Sequence, residues 1–307
     1  MKKYDVIILG AGPAGLTAGI YSARYGLNTL IVEKLAVGGQ LGITYEIENY
    51  PGFEKIGGYE LSQKMYEQTK KLGVDFAYGN ISALNLLDKT FVLGGEEYSA
   101  YAIILAFGAS ERKLGVPNED ELIGKGVSYC AVCDGNFYRG EDVVVFGTGN
   151  SAVESAVYLA NIAKSVTLIC KYPNLKSQDT LTKQILALDN VKIMYEYTPV
   201  NICGEDCVTG IDMLSKDNEK VHIDCAGVFV SIGRMPDISC VKDQLQTSGN
   251  YIESDQEMAT NVPGVFVAGD VRKKTLRQVV TACADGAISA TSAYKYIILQ
   301  RIKNNQK

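Results

Sequence analysis

Residues 4–15 read YDVIILGAGPAG. Tyr4 to Leu9 is a short apolar run of the kind that forms a strand buried on both faces of a parallel sheet. It passes directly into Gly10-Ala11-Gly12-Pro13-Ala14-Gly15, and Leu16 to Gly26 continues as a helix. Strand, G-x-G-x-x-G and helix in that order form a dinucleotide-binding unit. Gly10 permits the tight turn, Gly12 lets backbone approach a pyrophosphate, and Gly15 lets helix pack on strand. The helix opening at Pro13 presents N–H groups from Ala14 onward, and partial positive charge, to phosphates. A second strand, Asn28 to Val32, ends at Glu33, eighteen residues after Gly15, where a carboxylate suits a ribose diol.

The unit recurs. Asp142 to Phe146 (DVVVF) leads into Gly147-Thr148-Gly149-Asn150-Ser151-Ala152 and a helical stretch, with a further strand at Ser165 to Ile169. Eighteen residues after Ala152 stands Cys170 rather than an acid. This second cradle therefore lacks the carboxylate for an unmodified ribose, while Lys171 and Lys176 follow at once. Cations there suit a 2′-phosphate, hence NADPH; they read equally as two solvated surface lysines. Near the end of the chain, Gly264 to Asp270 (GVFVAGD) reads as another buried strand, ending in Gly269 and Asp270. An acid at that end can reach a cofactor sugar. Arg277 and Gln278 fall near the start of a helix within Thr275–Ile297, as cofactor ligands or as surface residues.

Between the two fingerprints lies Cys130-Ala131-Val132-Cys133, followed by Asp134. Such spacing serves either a reversible disulfide or half of a zinc site. Zinc needs a second pair or histidines, and the chain has one histidine, His222, with Cys203 and Cys207 far downstream. Redox chemistry is the expectation, and no metal is expected. The remaining cysteines are scattered, which suits a reducing compartment rather than a disulfide scaffold.

Length and composition agree. At 307 residues the chain suits two domains, and 47% apolar residues supply two cores. A net charge of −5 without a Lys/Arg run argues against nucleic acid and anionic membrane as partners. Lys2 and Lys3 ahead of an apolar stretch imitate a signal peptide, but Asp5 interrupts it and cleavage would destroy the glycine fingerprint. No apolar run approaches the roughly 20 residues of a membrane span. A cytoplasmic protein is expected.

Together these residues resemble low-molecular-weight thioredoxin reductases, flavoenzymes of the pyridine-nucleotide disulfide oxidoreductase superfamily. The resemblance runs through GAGPAGLTAGIYSARYGL (10–27), GGQL (38–41), IENYPGF (47–53), GVSYCAVCDG (126–135), GTGNSAVESA (147–156) and VFVAGDVRKKTLRQVVTACADGA (265–287). It implies an α/β fold of two three-layer Rossmann-like domains, the second inserted into the first. The FAD domain would be 1–113 with 236–307, and 114–235 the NAD(P)H-binding-like domain carrying the cysteines, with crossings near Lys113–Pro117 and Gly233–Asp237. To the FAD ligands already named it adds Gly39, Gln40, Leu41, Asn49 and Val279; Gly147, Gly149, Asn150 and Ser151 would hold NADPH. Reduced flavin would pass electrons to the Cys130–Cys133 disulfide, with Cys133 facing the flavin and Cys130 attacking the disulfide of thioredoxin or a thioredoxin-like protein. Asp134 would protonate a leaving thiolate, or else cap the following segment. Because the pair must meet flavin and protein in turn, two domain orientations are implied. A homodimer is the family's common state.

Two departures stand out. NADPH-using members carry His-Arg-Arg with another Arg four residues later, where this chain has Cys170-Lys171-Tyr172-Pro173-Asn174-Leu175-Lys176. Lysine lacks the bidentate fork of arginine, and some relatives without the motif take electrons from ferredoxin. The family's Ala-Thr-Gly is here Ala106-Phe107-Gly108.

Overall fold

The computed structural model describes residues 1–44 and 46–305. The chain packs as two units, Met1–Ser110 with Met235–Lys307, and Glu111–Arg234. In the first, strand Lys2–Leu9 is flanked by parallel strands Thr29–Glu33 and Glu96–Leu105. Asp75–Tyr78 pairs parallel beyond Thr29–Glu33, and Val265–Val267 pairs parallel with the end of Glu96–Leu105. Antiparallel strands Thr90–Leu93 and Ile81–Asn85 extend the other edge.

The two-residue period of the strands sorts their side chains into two cores. Val6, Ile8, Ile31 and Ile104 face helices Pro13–Arg24, Gly58–Lys71 and Val279–Asn305, meeting Leu16, Met65 and Ile297. Ile7, Leu9, Leu30, Ile103 and Leu105 face the opposite layer, against Phe91, Ile238 and Val241. Both faces are dry, which explains the unbroken apolar run at residues 6–9. The first and last helices touch closely: a Cβ on Gly286 would lie 2.2 Å from the Ala14 carbonyl oxygen.

The second unit repeats the plan. Parallel strands run in the order Val191–Tyr195, Ser165–Cys170, Asp142–Phe146, Gly227–Val230 and Val127–Ser128. Val143, Val145, Leu168 and Phe229 pack on helix Asn150–Ala160. Val144, Phe146, Ile169 and Val228 pack instead on Ile202, Ile211 and Met213. Those come from an antiparallel sheet of Thr198–Gly204, Val208–Leu214 and Lys220–Asp224. Both units are thus three-layer α/β folds of the Rossmann type, as expected.

Three local readings differ from expectation. The strand expected over 264–270 is confined to Val265–Val267, because Gly269 takes φ +80° and opens a 3-10 turn to Val271. The last helix, expected within 275–297, runs Val279–Asn305, with Arg277 and Gln278 just ahead of its start. The first passage between units falls after Ser110, ahead of Lys113–Pro117. Those residues fold with the second unit because the carboxylate of Glu119, 2% exposed, accepts the Leu114 and Gly115 N–H groups at 2.8 and 2.7 Å. Among the described residues no helix is long and apolar enough to cross a membrane.

Candidate functional site

In the first unit the glycine fingerprint forms a cradle. Gly10 has φ +114°, and a Cβ there would meet the Ala106 carbonyl oxygen at 2.3 Å. A Cβ on Gly15 would fall 1.9 Å from the Gly10 oxygen, whereas Gly12 has nothing within 4 Å of its Cβ direction. Two glycines are therefore needed for packing and the third borders open space. Pro13 opens the helix, where its missing N–H costs nothing. Glu33 turns its carboxylate to the same loop, accepting from Ala11 N at 2.8 Å and Leu35 N at 3.0 Å.

Other expected residues converge on this cradle. Gly38 N donates to the Ala11 carbonyl at 2.9 Å, and a Cβ on Gly39 would sit 3.3 Å from Gly12 Cα. Gln40 donates from Nε2 to the Ala109 carbonyl at 2.9 Å, and Leu41 is buried. Gly269 packs against Ala14, whose Cβ is 2.9 Å from where its own would be. Two buried oxygens, Gln40 Oε1 and Asp270 Oδ1, have no hydrogen-bond partner among the described residues. Lys274 Nζ stands 3.6 Å from Asp270 Oδ1, too far to satisfy it. Orphaned buried acceptors cost free energy, so acceptors beside an open glycine edge fit a bound polar ligand such as FAD. Asn49 donates to Gln278 Oε1 at 3.1 Å, while Arg277 stacks 4.1 Å over the Tyr251 ring. Val279 packs partly buried against the helical-side core.

Beneath this loop lies a charge cluster that sequence reasoning missed. Asp285, 6% exposed, accepts from Arg272 Nη1 at 2.8 Å, Lys274 Nζ at 2.9 Å and Gly269 N at 3.1 Å. It fixes the turn carrying Asp270. The helical position of Asp285 gave no signal of this, since its partners lie 11 to 16 residues upstream.

In the second unit Cys130 and Cys133 form a disulfide, with Cα atoms 5.3 Å apart. Cys130 caps the short helix Ala131–Asp134, its Sγ accepting from Cys133 N at 3.2 Å. Cys133 is exposed and Cys130 half-buried. The hydroxyl of buried Ser128 donates to Asp134 Oδ2 at 2.7 Å and accepts from Cys130 N at 3.0 Å, tying the carboxylate to the disulfide turn. Asp134 N donates to the Cys130 carbonyl at 3.1 Å. Tyr129, one residue before the pair, donates to Glu119 Oε1 at 2.8 Å, and burial raises its pKa. Neither Ser128 nor Glu119 was foreseen; Ser128, two residues before Cys130 and six before Asp134, was the only one with a local signal.

The second glycine loop mirrors the first. A Cβ on Gly147 (φ +150°) would meet the Ser231 oxygen at 2.2 Å, while Gly149 borders open space. Cys170, fully buried, donates from Sγ to the Gly147 carbonyl at 3.4 Å, and burial pushes its pKa up to about 11. A neutral thiol thus replaces the acid of the first unit. Residues 171–178 fold back on the loop: Lys176 N donates to the Thr148 carbonyl at 2.8 Å and Gln178 N to Asn150 Oδ1 at 2.8 Å. Lys176 Nζ lies 3.8 Å over the Tyr172 ring. Ser151 and Lys171 are exposed. The structure brings Asn150 and Lys176 to the loop, and a phosphate-bearing nucleotide fits that set.

Known proteins resemble this chain over nearly its whole length. The family model described as pyridine nucleotide-disulphide oxidoreductase matches residues 4–286. The chain is 45% identical to a Bacillus subtilis thioredoxin reductase, over 96% of this chain and 95% of that protein. It is similar to the crystal structure of Lactococcus lactis thioredoxin reductase, TM-score 0.88 and 40% identity over 96% and 99% of the two chains. A ferredoxin-flavin thioredoxin reductase from Clostridium acetobutylicum aligns at TM-score 0.54 and 27% identity over 97% and 99%. The chain belongs to the pyridine nucleotide-disulphide oxidoreductase family.

Proposed function

We propose that the chain is an FAD-dependent thioredoxin-disulfide reductase, in which electrons from NADPH reach the Cys130–Cys133 disulfide and the resulting dithiol reduces thioredoxin or a thioredoxin-like protein. The observation that carries this is the Cys130–Cys133 disulfide held with Asp134 by Ser128, inside a nucleotide-binding fold. FAD, when held by Gly10, Gly12, Gln40 and Asp270, supplies two-electron transfer between nicotinamide and disulfide.

The chain's own residues account for the rest. After reduction, Cys130 is the thiolate favoured for attack, because its Sγ accepts a backbone N–H from Cys133. It forms a mixed disulfide with one sulfur of the substrate, and the other sulfur leaves as a thiolate that takes a proton from Asp134. Asp134, now a carboxylate, takes the proton of the Cys133 thiol. Cys133 attacks Cys130 Sγ, the second substrate sulfur leaves as a thiolate that takes this proton back, and the internal disulfide is restored. Ser128 orients the Asp134 carboxyl throughout.

The test is reduction of thioredoxin disulfide by the FAD-loaded protein with NADPH, NADH or reduced ferredoxin as donor. Turnover with NADPH that disappears in Cys130→Ser and Cys133→Ser, at unchanged flavin content, is the expected result. Turnover in either variant refutes the proposal. A ferredoxin-fed reductase is the second reading, favoured by the buried Cys170 and the lysines that replace the 2′-phosphate arginines; turnover with ferredoxin alone would select it. A homodimer and a cytoplasmic setting complete the proposal, the latter resting on six free cysteines in the presence of one disulfide. Sedimentation of the holoenzyme reads the dimer directly.

A further inference from the structure

The antiparallel sheet of the second unit carries a cluster for which disulfide reduction has no use. Cys203 lies on strand Thr198–Gly204, Asp212 on Val208–Leu214 and His222 on Lys220–Asp224. Asp212 stands directly opposite His222, and Cys203 opposite Gly210, two residues before Asp212. Direct and diagonal partners on one face are within side-chain reach. The thiol, carboxylate and imidazole donor atoms all lie within 4.8 Å of one another. Cys203 Sγ is 3.3 Å from Asp212 Oδ2, and Asp212 Oδ1 is 2.7 Å from His222 Nδ1.

We propose that Cys203, Asp212 and His222 bind a divalent d-block cation, zinc in type. Thiolate, imidazole and carboxylate are the donors zinc takes, and bonds of about 2.0–2.3 Å in a tetrahedron put neighbouring donors roughly 3.3–3.6 Å apart. Small side-chain rotations reach that spacing from the one observed. A thiolate in the set selects against magnesium and calcium.

Three surrounding features fit a metal rather than a chance meeting of polar groups. His222 Nε2 lies 3.2 Å from Asp224 Oδ1, so with Nδ1 on the metal the other ring nitrogen donates to a carboxylate, the usual support of a metal-bound histidine. Asn201 Nδ2 stands 3.5 Å from both Cys203 Sγ and Asp212 Oδ2, a donor to the two anionic ligands. Gly210 makes room for the ring: a Cβ there would come within 2.8 Å of His222 Cε1 and Nε2. All three ligands are partly solvent-exposed, giving the ion a path in and a water for its fourth position. Binding replaces the Cys203 thiol proton by the metal and releases that proton to solvent; no electron moves.

The sequence hid this site. The ligands stand nine and ten positions apart along the chain, without zinc-motif spacing, and only the hairpin register brings them together.

The test is zinc binding to the FAD-loaded, oxidised protein by equilibrium dialysis, with cobalt difference absorption to detect a thiolate ligand. Oxidation keeps Cys130 and Cys133 in their disulfide, and a Cys130→Ser/Cys133→Ser double variant removes them as a source of zinc binding. One equivalent of zinc, retained in the double variant, is expected. Cys203→Ser and His222→Gln should each weaken it at least tenfold and abolish the thiolate-to-cobalt band, and Asp224→Asn should weaken it about tenfold. His222 is half exposed, so its variant decides the matter even if Cys203→Ser fails to fold. Zinc binding unaffected by either ligand substitution, or no zinc taken up at micromolar free metal, overturns the proposal.

Discussion

At the scale of single residues, Asp134 is the most informative position for chemistry. Its carboxylate accepts from Ser128 and its backbone N donates to Cys130. Asp134→Asn keeps the hydrogen bond from Ser128 but cannot give up a proton. We expect kcat for thioredoxin reduction to fall about 10²-fold or more, with flavin content unchanged; a steady-state assay at neutral pH decides. The thiols offer a second check. Burial pushes Cys170 up to about 11 and Cys225 up to about 12, so both stay protonated and shielded at pH 8. Brief alkylation of the native protein should therefore label exposed Cys207 and spare those two, as peptide mass mapping would show.

At the scale of elements, the turn Gly269–Val271 depends on the charge cluster at Asp285. Its side chain is 8% exposed and those of Arg272 and Lys274 are 14% and 9%. Asp285→Asn would leave buried Arg272 without a carboxylate partner and Lys274 with only Asp270, 3.6 Å away, at a cost of about 3–5 kcal/mol. Thermal unfolding should shift accordingly, and flavin retention should drop because Asp270 sits on that turn. Lys273→Ala, which removes the exposed pair with Glu253, should change stability by less than about 1 kcal/mol. The loop 171–178 permits a separate test. Lys176→Glu should raise KM for NADPH several-fold over KM for NADH if Lys176 meets a 2′-phosphate, about 1 kcal/mol of lost attraction; equal changes would place it in solvent.

How much of this was legible follows from where each constraint acts. The glycine loops were readable because their demands are local: the backbone conformation of Gly10 and the contact of Gly15 with Gly10 both arise within six residues. The cysteine pair was readable for the same reason, since a disulfide across three positions needs no tertiary partner. Glu119, Asp285 and the Cys203–Asp212–His222 cluster were not. Their partners come from other elements, and only strand register or helix packing decides which groups meet. The exact start of the last helix was not legible for a related reason: Thr281 Oγ1 accepts from Gln278 N at 3.1 Å, and this side-chain bond marks a start that apolar spacing alone does not show.

At the scale of the whole molecule, the two units differ in how their chain is drawn. Glu111–Arg234 is continuous, with its own cores on both sheet faces. Expressed alone it should fold cooperatively and form the Cys130–Cys133 disulfide without taking up FAD, which circular dichroism and thiol counting would show. The other unit is assembled from both ends of the sequence. Its central strand Lys2–Leu9 needs Glu96–Leu105 and, beyond it, Val265–Val267, while the Gly286 backbone closes on Ala14. The first hundred residues therefore cannot complete their sheet and its helical cover until Val265–Val267 and Val279–Asn305 have been made. The inserted unit carries every strand of its own sheet, so flavin capture becomes a report that the chain segments on either side of it have been joined.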